Sequence, residues 1–353
     1  MSIQQFPCSV CGGQLNFKPG IQKMECIHCG SQQEITATGQ IREHDYEAAL
    51  NNAPVVAIAN LSDNAQEVKC SNCGAQIMTD KTSEHCPFCD SVVVVNTQSQ
   101  GIIAPESVLP FKIDANQAKE SFQKWLSSRW FAPGDLVSRA RKDGLNGVYL
   151  PYWTYDSQSK SRYKGKRGEY YYEEESYEDA SGDRKTRRVR KTEWHSVKGR
   201  CARDFDDVLI CSSKSLPQNI FDGLKTWKLE ELKPFNGGYL SGFLTERYGI
   251  SLKEGFDLAK KKMEDVIRSD VKRDIGGDDQ KIDHIDTQYL EITYKHILLP
   301  LWISSFRYND KVYRFIVNAQ TGEATGERPF SMIKIIMTIV FIVAIIVAIV
   351  KVL

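Results

Sequence analysis

Four Cys-x-x-Cys pairs stand before Asp90 in this chain of 353 residues, and they restrict how that part can fold. The pairs are Cys8/Cys11, Cys26/Cys29, Cys70/Cys73 and Cys86/Cys89. Two intervening residues let both thiolates of a pair reach one metal from a tight turn. Two such pairs close a tetrahedral shell and leave no position for water. The spacing therefore predicts two structural zinc sites. Cys8, Cys11, Cys26 and Cys29 form the first; Cys70, Cys73, Cys86 and Cys89 form the second. An iron–sulfur cluster takes the same four thiolates and is the competing assignment. Gly12, Gly30 and Gly74 follow the second cysteine of three pairs, where a positive φ lets the backbone fold over the sulfurs. Ribbons this small have little core, so metal supplies folding energy and no chemistry. His28 and His85, beside ligand cysteines, read as supporting or surface residues because each shell already has four thiolates.

Residues Met1–Pro7 contain no basic stretch leading into an apolar one, unlike a secretory signal. The thiols are thus expected in a reducing compartment, where metal binding outweighs disulfide formation. A net charge of +1 provides no global field toward nucleic acid or anionic lipid. Cys201 and Cys211, outside the pairs, read as buried and unreactive thiols.

The other end of the chain is of a different kind. Residues 332–350 are apolar except for Lys334 and Thr338. As a helix they reach about 28 Å, close to one hydrocarbon core. Apolar side chains cover every face, which leaves a membrane span or a helix buried all round. Basic residues flank both ends, so the positive-inside bias discriminates little. Orientation rests on the thiols: the bulk of the chain is expected in the cytoplasm, with only Lys351, Val352 and Leu353 beyond the far side of the membrane.

Between these ends, the sequence divides into a first ribbon (1–35), a spacer with a short helix (36–66), a second ribbon (67–95) and a polar linker. An α+β region (104–330) of helices on antiparallel sheet follows. Helical spacing of apolar residues appears over Ala115–Trp130 (Ala118, Phe122, Trp125, Leu126) and over Leu252–Val271 (Phe256, Ala259, Met263, Val266, Ile267). Each helix leads to a similar strand, Leu150–Trp153 (LPYW) and Leu299–Trp302 (LPLW), which suggests one helix–strand unit used twice. Coincidence between two core strands is the alternative. Proline inside both strands predicts edge strands or strand starts. Residues 160–200 are heavily charged, with an acidic, Tyr-rich block (Glu169–Asp179) and a basic one (Arg184–Lys191) separated by Ser181-Gly182-Asp183. Folded back at that turn, the blocks neutralise each other across two antiparallel strands, at about 0.2–1 kcal/mol per pair.

No phosphate-cradling G-x-x-x-x-G-K-[ST], no H-E-x-x-H and no G-x-S-x-G occurs. Asp206-Asp207, Asp278-Asp279 and Glu173-Glu174-Glu175 read as solvated segments rather than catalytic dyads. The tryptophans read as core or interface. No small-molecule substrate and no catalytic residue is expected.

Alongside the ribbons stand Val108–Lys112 (VLPFK), Tyr149–Trp153 (YLPYW), Thr192–Gly199 (TEWHSVKG) and Phe205–Leu209 (FDDVL). With these segments the chain resembles bacterial proteins described as transcription factor IIB-type zinc-ribbon-containing, which also carry the description primosomal protein N′-like. The nucleotide-binding motif that a helicase requires is missing from this sequence. Some relatives resemble membrane components encoded beside phage-shock protein A and a stomatin/flotillin-type (SPFH) protein in bacilli. The resemblance implies a non-enzymatic, membrane-anchored adaptor that recruits such partners, in a membrane-stress response. The alternative is a membrane-tethered nucleic-acid binder using the ribbons and Arg184–Lys191.

Overall fold

The computed structural model describes residues 6–36, 39–51, 66–70, 75–79, 83–88, 92–94, 103–136, 144–178, 182–224, 226–309 and 311–352. Expectations for Cys73, Cys89, Gly74, the polar linker and Ser181 fall outside them.

Two very long strands, β10 (Asn146–Glu178) and β14 (Asp279–Tyr308), run antiparallel through the centre of the main sheet. They carry the two Leu-Pro-x-Trp segments side by side, with Leu150 opposite Leu299, Pro151 opposite Leu298 and Tyr149 opposite Pro300. The prolines are therefore not at edges or strand starts. Their missing N–H groups fall where the outer neighbour changes. Before Pro151, β10 pairs in parallel with β13 (Leu244–Glu246); after it, with the returning β11 (Arg184–Cys211). Before Pro300, β14 pairs in parallel with β9 (Ser107–Val108); after it, with β15 (Lys311–Asn318). A proline costs no ladder bond in such a gap. Both proline carbonyls are used, Pro151 O accepting from Ser212 N at 3.0 Å and Pro300 O from Ala319 N at 3.1 Å.

Further matched contacts surround this pair. Trp153 Nε1 donates to Ile250 O and Trp302 Nε1 to Ile113 O, each at 3.0 Å. The next residues, Ser251 and Asp114, cap helices through reciprocal boxes with Glu254 and Gln117. Each such cap contributes about 1 kcal/mol. The helices are α2 (Ala115–Ser127) and α4 (Leu252–Ile275), following the short α1 (Tyr46–Asn51) and the single turn α3 (Gln218–Phe221). Helix α2 stops before the expected Trp130, with Ser128 as its C-cap. Helix α4 runs past Val271, with Gly276 (φ 65) as its C-cap.

The centre of the sheet is covered on both faces, which is why residues 148–153 and 297–303 are apolar runs instead of alternating. Val148, Leu150, Ile297, Leu299 and Leu301 pack with Cys70, Ala75, Ile77, Cys86 and Phe88 of the second cysteine segment. That segment also joins the sheet, since β6 (Gln76–Thr79) pairs with β5 (Gln66–Lys69) and with β13. Tyr149, Leu298 and Trp302, of opposite parity, pack with α2 and with Cys8, Leu15, Phe17, Met24 and Cys26 of the first cysteine segment. Alternation along a strand thus sets the two segments on opposite faces. Helix α4 lies farther along, its Phe256, Ala259, Met263, Ile267, Val271 and Ile275 buried against Trp153, Tyr155 and Tyr163. Val266 is outside that stripe and is exposed. Gly255 permits the close approach, for a Cβ there would stand 2.4 Å from Tyr155 Oη.

Beyond the Gly168–Asp279 pair, β14 ends, but β10 and β11 continue together to Glu178 opposite Arg184. This two-stranded hairpin extends about 33 Å past the sheet. The charge blocks meet as the sequence suggests: Glu175 is opposite Arg187 with an ion pair at 3.4 Å, and Lys191 pairs with Glu173 and Glu175. The guanidinium groups of Arg190 and Arg188 lie over the Tyr170 and Tyr172 rings.

His296 is buried in β14, with Nδ1 2.8 Å from Ile103 O. A carbonyl only accepts, so Nδ1 carries the proton. Burial pushes the imidazole down to about 4, against the pull of the Ile103 and Ala104 carbonyls. Because the folded value lies below the unfolded one, stability is complete above about 6.5 and is lost as pH falls toward 4. The loss is on the order of 3 kcal/mol. Urea titrations from pH 8 to 4 should show this decline in the wild type and a shallower one in His296→Gln. Parallel declines would exclude His296 as its source.

Candidate metal centre

The first cysteine segment forms a three-stranded sheet of β1 (Leu15–Lys18), β2 (Lys23–Cys26) and β3 (Gln32–Gln33). Its two Cys-x-x-Cys turns are built alike. Cys8 N donates to Gly13 O and Cys26 N to Ser31 O; Gly12 N donates to Cys8 O and Gly30 N to Cys26 O. Gly12 and Gly30 take φ values of 71° and 72°, as expected from their place in the motif. The Val10 and His28 N–H groups point at the Cys8 and Cys26 sulfurs, each at 3.4 Å. Two amide donors thus already face two sulfurs, an arrangement that suits thiolate rather than thiol.

These turns bring the Sγ atoms of Cys8, Cys11, Cys26 and Cys29 within 4.8 Å of one another. The Cys8–Cys29 and Cys11–Cys26 separations are 3.6 and 3.5 Å. With metal–sulfur bonds of about 2.3 Å, the edge of a tetrahedron is about 3.8 Å, so the quartet fits such a shell with small adjustments. This group could hold a metal ion. Its electrostatics favour one. The Ser31 hydroxyl, 2.8 Å away, with the Cys11 and Val10 backbone groups, draws Cys8 down to about 6, and Ser31 also lowers Cys29. The Gly13 backbone pulls Cys11 down too, but the Cys29, Cys26 and Cys8 sulfurs outweigh it and push Cys11 up to about 12. Four thiolates at these distances need a cation among them, and a divalent metal displaces the remaining protons.

Of the second set, Cys70 and Cys86 are buried in the core, and Cys70 N donates to Ala75 O at 2.8 Å, the same turn bond that Cys8 makes. Their companions Cys73 and Cys89 lie outside the described residues. Cys211 is buried, and burial raises its thiol; Cys201 is half-buried and also raised by burial, so it is less enclosed than expected.

Asp156, Asp206 and Asp207 form another cluster with ligand atoms inside 4.8 Å. Asp206-Asp207 is not a solvated loop but part of β11, at a bulge where Asp207 has φ 50 and donates its N–H to Asp156 Oδ1 at 2.6 Å. The buried Lys295 ammonium stands 2.8 Å from Asp207 and 3.0 Å from Glu43. Burial works against its charge, yet the Asp207 and Glu43 carboxylates hold it above its ordinary value. Burial raises Asp156 to about 6. The lysine is thus the cation of this cluster. It ties the segment before β4 (His44–Asp45) to the sheet.

The chain is similar to a protein of Bacillus subtilis (strain 168). That relative is the "Uncharacterized protein YdjG", 27% identical over 343 residues, which cover 94% of this chain and 92% of that protein. No family model matches the chain, and no solved structure matches it.

Sequence spacing alone finds the four sulfurs but misses Gly13 and Ser31. These occupy equivalent places in the two turns, two residues after Cys11 and Cys29. A Cβ on Gly13 would stand 2.6 Å from the His28 ring and 3.3 Å from the Cys11 and Cys26 sulfurs. The repeated Cys-Gly-small order was the available signal. Gly13→Ala should therefore weaken metal binding about 10–100-fold, as loss of a supporting contact does. Gly20→Ala, with nothing within 4 Å of the new methyl, should leave it unchanged. Chelator competition measures both. Equal affinities for the two variants would refute the role given to Gly13.

Proposed function

We propose that this protein is a non-enzymatic adaptor held at the cytoplasmic face of the bacterial inner membrane. One observation carries the reading. The apolar helix α5 (Met332–Val352) is joined to the body at its first turn, not hung on a loose tether. Ser331 N donates to Phe131 O at 2.8 Å and Lys334 Nζ to Ala132 O at 2.8 Å. Its segment Met332–Val350 is long and apolar enough to cross a membrane, and none of it is buried among the described residues. A body fixed to a span in this way is suited to presenting a docking surface at a set height above the bilayer.

In this reading both cysteine sets are zinc ribbons. Each would be a closed four-thiolate shell that braces one face of the sheet and has no open coordination position for catalysis. Purified protein should contain two zinc per chain; iron with acid-labile sulfide would replace that assignment. Thiolate ligation also suits the reducing cytoplasm. The matched contacts around the two Leu-Pro-x-Trp segments support an internal duplication. Each unit would comprise a short strand, a capped helix, a long strand and its return. The short strand of each unit then pairs in parallel with the long strand of the other.

The resemblance to zinc-ribbon membrane components puts an SPFH-type and a phage-shock-type protein first among partners. The full chain should resist extraction by carbonate and high salt and draw the phage-shock-type protein into the membrane fraction. A chain ending at Pro329 should be soluble and leave that protein soluble too. An unchanged distribution of the partner with and without this chain would sink the adaptor reading.

The row of Arg190 over Tyr170 and Arg188 over Tyr172 favours a second reading, a nucleic-acid binder, because such rows offer stacking and charge together. Against it, Arg187 and Lys191 are already engaged by carboxylates on the hairpin. At physiological salt, no measurable affinity for DNA or RNA is expected. A dissociation constant below about 1 µM, abolished by joint replacement of Arg187, Arg188 and Arg190 with Gln, would reverse the order of the two readings.

A further inference from the structure

The residues around the start of α5 are unlike the rest of the surface. Trp130 is 74% exposed and Phe330 is 59% exposed. Trp153 and Trp302, by contrast, are in the core. Nothing in packing explains an indole left in water. The backbone beside it is pinned to the helix start, because Phe131 O accepts from Ser331 N and Ala132 O accepts from Lys334 Nζ. Trp130 therefore lies one residue from a hydrogen bond to the residue preceding the span.

Length fixes the depth of this region. The 19 residues of the span, Met332–Val350, rise about 28 Å, against a hydrocarbon core of about 30 Å. No helix remains to lift the body away from the lipid. A span with this little slack sets Met332 at the edge of the hydrocarbon and the 129–132 turn at headgroup level. That is the layer in which tryptophan is enriched at membrane surfaces.

Charge at the same place is cationic. Arg328 lies over the Phe330 ring and Arg129 over the Trp125 ring. Among the described residues neither guanidinium pairs with a carboxylate, and Arg129 Nε is buried without a hydrogen-bond partner. Burial and the nearby charge of Arg129 lower Arg328 below the ordinary arginine value. Arg129 and Arg328, on the two segments that the Ser331–Phe131 hydrogen bond joins, form an incomplete arrangement, since neither has a carboxylate partner among the described residues. A phosphate completes it, since both present planar forks of donors.

We infer that the turn after α2, with Arg328 and Phe330, is a second membrane contact. In it Trp130 and Phe330 enter the interfacial layer, and Arg129 and Arg328 hold the phosphate of an anionic phospholipid. This rests on the reading of α5 as a membrane span. It adds that the body is seated on the bilayer in one orientation and distinguishes acidic from neutral lipid.

The test uses the full chain, zinc-loaded, reconstituted in vesicles of phosphatidylcholine with or without phosphatidylglycerol. The lipid carries bromine high on the acyl chain as a quencher of tryptophan fluorescence. Carbonate extraction of the same vesicles checks the span itself. If the protein extracts, the anchor reading has failed. If it stays, the contact is judged separately by fluorescence. Wild type should be quenched, and more strongly with phosphatidylglycerol present. Trp130→Phe should lose most of the quenching. Joint Arg129→Gln and Arg328→Gln should abolish the difference between the two lipid mixtures while retaining the zinc content of the wild type. Undiminished quenching in Trp130→Phe would overturn the inference. Equal quenching of integral wild-type protein in both mixtures would remove the anionic-lipid site.

Discussion

The antiparallel pairing of β10 with β14 is the contact from which the other elements take their places. It joins segments about 150 residues apart, so the chain pays a loop-closure cost before the pair forms. What returns that cost is burial on both faces at once. Leu150 and Leu299, side by side, contribute to one hydrophobic cluster, while Tyr149, Leu298 and Trp302 face another. Full burial of an aliphatic or aromatic side chain contributes about 1.5–3 kcal/mol, and this pair has several per strand. The covering layers are therefore part of the pair's stability. One is the first cysteine segment with α2. The other is the second cysteine segment with residues 209–232.

This arrangement gives a metal at the first quartet something to add, although the main sheet has a large core of its own. Among the described residues, the first cysteine segment contributes the buried Leu15, Phe17 and Met24, with Cys8 and Cys26, and the partly buried Phe6 and Ile35 to the cluster it shares with the sheet. Its three strands are each four residues or fewer. Such a piece is too small to hold its shape by burial alone. A tetrahedral shell on the four sulfurs would close both turns simultaneously and turn a marginal segment into a rigid cover. The cover is also keyed to the sheet by polar contacts, Phe17 N to Ser241 O and Ser241 Oγ to Leu15 O. Lys295 does comparable work elsewhere with an ammonium in place of a metal.

Patterns that depend on local spacing were legible in the sequence; patterns that depend on the partner strand were not. Cysteine spacing located the quartet, apolar spacing located α2 and α4, and the order of acid, turn and base located the hairpin. The prolines misled because proline disfavours a central strand only where a neighbour requires its N–H. Whether one does depends on where β11 and β15 begin, which no window around Pro151 or Pro300 contains. Trp130 was read only as core or interface for a related reason. Hydrophobicity states that an indole leaves water, but not whether it enters protein or lipid. The Lys295 network was invisible because its members, Glu43, Asp156, Asp207 and Lys295, come from four separate stretches of chain.

Among the described residues, the hairpin beyond Gly168 pairs with no strand except its own two, so its length is uncoupled from the rest of the sheet. Removing one matched pair of residues would exchange its two sides, bringing the Tyr170–Arg190 row where the Glu173–Lys191 ladder stood. Removing two would shorten it by one pleat and preserve each side. A change of length that preserves each side therefore comes in steps of two residues per strand. Such a step lengthens or shortens the arm by one pleat without disturbing the sheet that carries it.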